Sequence, residues 1–203
     1  MTSHAEAIHE HHGPPAANRS SRLDPATLGM FLFIASEAML FGAFFTAYFF
    51  VRVVNPDAPA EWPPPPYEFP VFVAGINTAI LVTSSFTMHW AVQSIRRGNR
   101  SGLKAGLLLT IGLGLAFLLT QAIEYAHVGF NTSAGAFASV FFGLTGLHGA
   151  HVFIGLTLLV IPTVRAFRGH FSPEHHHGVE IPGIYWHFVD VMWIVVYSTV
   201  YLL

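Results

Sequence analysis

Apolar residues fall in five long runs, at 25–54, 70–95, 103–128, 136–167 and 182–203, divided by short polar stretches. A helix of about 20 apolar residues crosses the ~30 Å hydrocarbon core of a bilayer, so every run is long enough to span it. The pattern predicts an all-α integral membrane bundle of five transmembrane helices. Asp24 followed by Pro25 reads as an N-cap with proline at the first helical position, and Ile181-Pro182 suggests the same start for the fifth helix. Pro162 falls inside the fourth run and is expected to kink or fray that helix near its end. Residues 1–24 carry no such run and no signal-peptide pattern, and read as a flexible His-rich tail ahead of one membrane domain at 25–203.

Composition narrows the classes. The 203 residues are 53% hydrophobic and 10% charged, against about 25% charged in a soluble domain, which rules out a soluble enzyme. A net charge of −2 argues against a nucleic-acid partner. Cysteine is absent, which removes disulfides, thiolate zinc sites, iron–sulfur clusters and a thiol nucleophile. No nucleotide, hydrolase or metalloprotease motif is present. The 13 histidines outnumber the acids and need an explanation.

Charge placement predicts orientation. Arg19 and Arg22 precede the first run, Arg96, Arg97, Arg100 and Lys104 join the second to the third, and Arg165 and Arg168 follow the fourth. The opposite side has Arg52 alone, with Asp57, Glu61 and Glu68 in a proline-rich loop. The positive-inside rule then puts the N-terminus in the cytoplasm and the C-terminus outside. Small residues at Ala38, Gly42 and Thr46, and at Gly143, Gly146 and Gly149, are candidate points of close helix approach.

Ionisable groups inside the spans are costly unless paired or hydrated, so they mark the candidate site. Glu37 lies half-way along the first span, and reads as a buried protonated acid or a proton relay. Gln121 and Glu124 share a face of the third, and His148 and His151 share a face of the fourth. His187 and Asp190 share a face of the fifth and suggest a structural pair. Neutral imidazoles at His148, His151 and His187 are either ligands for iron or copper, or hydrogen-bonding glue between helices. Four further histidines, His4, His9, His11 and His12, lie in the tail. The last cytoplasmic link holds His170, His175, His176 and His177 beside Arg165 and Arg168, placed to meet lipid phosphates or buffer protons.

Several of these elements have a familiar look. Ser36-Glu-Ala-Met-Leu-Phe-Gly-Ala-Phe-Phe-Thr-Ala-Tyr48, Asn77-Thr78, Gln121-Ala-Ile-Glu-Tyr125 and Thr145-Gly-Leu-His-Gly-Ala-His-Val152 resemble segments of haem–copper oxidase subunit III. So do His170-Phe171, His175-His176, Gly178 and Glu180 in the link, and above all Tyr185-Trp-His-Phe-Val-Asp-Val-Met-Trp193. The resemblance runs from about Thr27 to the end, and fits the short five-helix bacterial form rather than the seven-helix form with its lipid-holding arm. It implies a non-catalytic subunit of a terminal oxidase, cytochrome c oxidase more than quinol oxidase, in the bacterial plasma membrane. It implies direct packing on subunit I, with subunit II, small subunits and phospholipids as further partners, and support for proton-coupled reduction of oxygen to water. It implies no cofactor in this chain, the haems and copper belonging to subunits I and II, and a buried proton-related role for the acid matching Glu37. A stand-alone metal or proton transporter is the competing reading from the residues themselves.

Overall fold

The computed structural model describes residues 24–55 and 62–203. The histidine tail and the loop acids Asp57 and Glu61 lie outside the described residues. Helix α1 (Pro25–Phe49) begins as the sequence predicts, with Asp24 Oδ2 accepting a hydrogen bond from the Thr27 amide at 3.2 Å. It widens into a π-helical turn at Phe50–Val54. Helices α2 (Val71–Arg96), α3 (Arg100–His127), α4 (Ala136–Phe167) and α5 (His177–Tyr197) follow, and α5 ends in a second π-helical turn at Ser198–Leu202. All five are long and apolar enough to cross a membrane, and no strand occurs among the described residues.

Two boundary expectations are corrected. Helix α3 starts at Arg100, ahead of the apolar run, because the Asn99 side chain caps it, accepting from the Gly102 amide at 2.9 Å. Helix α5 starts at His177, leaving Pro182 inside the helix. The missing proline amide frees only the carbonyl of Gly178, close to the end of the helix where water can reach it. Helix α4 continues through Pro162 to Phe167 with no break at the proline.

Helices α2, α3, α4 and α5 form a ring, each packing on the next and α5 closing back on α2. Helix α1 lies outside it, against α4 and α5. Lipid offers no hydrophobic drive for association, so close backbone approach and polar rungs must hold the ring. Of the expected glycines, Gly143 marks a close approach, where a Cβ would lie 3.1 Å from the Phe44 ring of α1, while one at Gly42 or Gly149 would meet nothing within 4 Å. Tighter points lie at other glycines: a Cβ at Gly106 would lie 2.7 Å from that of Ala91, and one at Gly114 would lie 2.6 Å from Trp186 Cη2. Trp186 and Trp193 fill the ring, and the bulk of Trp186 leaves no room for a Cβ at Gly114 or Gly155. Each indole finds a partner, Trp186 Nε1 donating to Ser84 Oγ at 3.0 Å and Trp193 Nε1 to Thr78 Oγ1 at 2.9 Å.

Candidate functional site

The intramembrane polar residues divide among four places. On the α1–α4 seam, Glu37 Oε2 lies 2.8 Å from His151 Nε2, with the Glu37 side chain 19% exposed and that of His151 6%. The other ring nitrogen, Nδ1, is 2.7 Å from the Leu147 carbonyl oxygen. A carbonyl can only accept, so Nδ1 carries a proton. Nε2 then faces Glu37 either as a bare acceptor, with the carboxylic acid donating, or as the second N–H of an imidazolium donating to a carboxylate. In both states the pair shares one proton and is neutral as a whole, which a low-dielectric setting favours.

His148 goes elsewhere. It is fully buried in the ring, packed against Trp193 at 4.7 Å and the edge of Phe117 at 5.5 Å between ring centroids, and neither nitrogen has a hydrogen-bond partner. The two α4 histidines therefore serve different seams, and the expected shared face does not become a shared site. No group of three or more His, Cys, Asp or Glu that could hold a metal occurs among the described residues.

At the far end of α3, Tyr201 donates its hydroxyl proton to Glu124 Oε1 at 2.6 Å, joining α3 to the final turn of the chain. Gln121 is buried beside them with neither amide atom in hydrogen-bonding geometry. Tyr201 gave no sign of this role in the sequence, because an aromatic near a span end reads as an interfacial anchor.

The expected His187–Asp190 pair does not form. His187 Nδ1 is joined instead to Ser85 Oγ of α2 at 2.6 Å, while both Asp190 oxygens are buried without a hydrogen-bond partner. At the Arg96 end, Glu180 collects the charges: Arg96 Nη2 at 2.6 Å and Nε at 3.1 Å, His176 Nε2 at 3.1 Å and His177 Nδ1 at 3.3 Å. Glu180 thereby ties the end of α2 to the start of α5. Arg165 lies over the Phe171 ring at 5.1 Å, and Arg168, His170 and His175 are exposed beside it. In the same turn, hydrogen bonds from its own backbone amide and from Ser172 hold the Glu174 carboxyl below the ordinary carboxylate range.

The family model described as cytochrome c oxidase subunit III matches residues 16–203, reaching back beyond the first helix. The chain belongs to that family. Relatives include the cytochrome c oxidase subunit 3 of Thermostichus vulcanus, 38% identical over 89% of this chain and 88% of the relative. That of Synechocystis is 40% identical over 96% and 79%, and that of Rattus norvegicus 38% over 97% and 74%. The closing subunit III string from Trp186 to Trp193 now has a physical division of labour. Its two tryptophans fill the ring, and its His187 and Asp190 face a groove between α2 and α5. The Glu37 helix and the Gly-His-Gly-x-His segment of α4 meet across the α1–α4 seam, so two motifs far apart in the chain build one pair.

Proposed function

We propose that this chain is the non-catalytic subunit III of a haem–copper oxidase that takes electrons from cytochrome c. It packs directly on subunit I in a bacterial plasma membrane, with its N-terminus cytoplasmic, and supports that subunit's proton-coupled reduction of oxygen. The family match over residues 16–203 carries this reading. Subunit II, small subunits and phospholipids complete the surroundings, the haems and copper belonging to subunits I and II. Arg165, Arg168, His170, His175 and His176 serve as contacts for lipid phosphates at the cytoplasmic surface.

The chain's own contribution is protonic and structural. The Glu37–His151 pair holds one proton and can exist in two arrangements of it, which suits a group that buffers or passes a proton without gaining net charge. Glu37 lies at the edge of the seam on a helix whose buried residues are Phe41 and Tyr48 alone among those described. A partly exposed acid on such a helix is not suited to bare lipid, and in the assembled oxidase that edge is covered. Affinity purification of the tagged chain from its native membranes tests the assignment. Oxidase haems are expected to come with it, and recovery free of any haem protein would remove the reading. Glu37→Ala is expected to leave the haem spectrum unchanged and to alter how long turnover is sustained or how it depends on pH.

A further inference from the structure

The groove between α2 and α5 is used by none of these roles. It consists of two adjoining cavities, of about 180 and 410 Å³, which share His89 and His187. The smaller is bounded by Arg96 and Glu180, at the end of the bundle where α2 stops. The larger ends at Asp190, flanked by apolar Val82, Phe86, Val191 and Ile194. With a rise of about 1.5 Å per residue, Asp190 lies about 20 Å from the start of α5, near the middle of a ~30 Å hydrocarbon layer. Along the way come His89 at about 10 Å, and His187 and Ser85 at about 15 Å.

Asp190 is 3% exposed, and neither of its oxygens is hydrogen-bonded. Ser85 is a polar neighbour of Asp190, but that hydroxyl also engages His187 and has a single proton to give against two carboxyl oxygens. At this depth a carboxyl oxygen without a donor is costly in hydrocarbon, and a further donor would relieve it. Lipid headgroups stay at the interface, well short of it. Water fits: the cavities have room for several molecules, and Glu180, His89, His187, Ser85 and Asp190 provide polar partners along the length. Further along the same two helices the next hollow is lined by Val71, Phe72, Gly75, Ile76, Ala79 and Tyr197, and shares no residue with the larger cavity, so the acid and histidine track ends at Asp190. The titratable groups facing Asp190 are His187 on its own helix and His89 on α2, and no lysine or arginine lines the larger cavity.

We infer that this groove is a water-filled half-channel that carries protons between the aqueous surface at Arg96–Glu180 and an exchangeable proton site at Asp190. The inference needs only the fold and does not depend on the oxidase assignment. The cysteine-free chain allows a clean test in vesicles bearing the assembled complex, using a membrane-impermeant thiosulfonate. Thiols react as thiolates and ionise only where water reaches them, so Ser85→Cys and Val82→Cys are expected to be labelled at least about 10-fold faster than the lipid-facing Phe153→Cys. Labelling is expected from one side only, the side that also labels Arg97→Cys, which reports separately where that end of the bundle faces. Rates for both groove positions no higher than for Phe153→Cys would overturn the channel, as would labelling from the side opposite Arg97→Cys. In the same vesicles, an acid-minus-alkaline infrared difference spectrum is expected to contain a carboxyl band that shifts in D2O and is lost in Asp190→Asn. An unchanged spectrum in Asp190→Asn would overturn proton carriage even in a wet groove.

Discussion

At the scale of single residues, what matters is which partner each polar group finds. Glu37→Gln keeps a donor for His151 Nε2 but cannot share a proton, so the melting of the purified complex is expected to stay close to that of the parent. Glu37→Ala leaves a nearly buried imidazole nitrogen unmatched, and is expected to cost about 1–3 kcal/mol in the same measurement. Glycine gives a second contrast. Gly114→Ala drives a Cβ to within 2.6 Å of Trp186 and 2.8 Å of Leu156 in a filled interior, and is expected to destabilise by about 1–3 kcal/mol. Gly42→Ala meets nothing within 4 Å and is expected to be neutral or stabilising by up to about 1 kcal/mol through helix propensity. The sequence made Glu37, His151, His187 and Asp190 visible as candidates, because ionisable residues stand out in apolar runs. It could not show their pairing, since seam partners lie on different helices and side-chain direction depends on how each helix is rotated. Spacing of three along one helix suggested His148 with His151 and His187 with Asp190, yet each histidine turns to a neighbour on another element or into the ring.

Among the elements, the caps and ties at the Arg96 end set where α2 stops and where α3 and α5 begin. Gly98, at φ +77°, turns the chain between α2 and α3 in the left-handed conformation open to glycine, and Asn99 then caps α3. Asn99→Ala is expected to cost about 1 kcal/mol in thermal melts, leaving helix content otherwise intact by circular dichroism. All five helices were legible as apolar runs, including α4 with its observed limits. The errors lay at ends where a polar residue, not the end of apolarity, fixes the boundary: Asn99 for α3, and the Glu180 cluster beside the early start of α5. Proline misled at α5 because its cost is local, one freed carbonyl, and falls where water can meet it.

For the molecule as a whole, five spans and the family were legible in the sequence, but the arrangement of four helices in a ring with one outside was not. The ring follows from bulk at Trp186 matched by glycines on α3 and α4, a correspondence no single run displays. Because α5 closes back on α2, a chain lacking α1 is expected to keep the ring, and its tryptophan fluorescence maximum is expected to stay close to that of the full chain. A large red shift would show that α1 is needed to close the interior. The position of α1 also bears on how the protein is made. Helices α2 and α3 meet across a turn of only a few residues and can dock as a hairpin soon after both enter the bilayer. Helix α1 is synthesised ahead of α2 and α3, yet its packing surfaces belong to α4 and α5, which come after them. During biogenesis it must therefore wait in the lipid, a free helix with Glu37 not yet joined to His151, until the synthesis of α4 and α5 brings its neighbours. The order of synthesis and the order of docking run in opposite directions, and that interval is when the nascent chain is most in need of a chaperone or an early assembly partner.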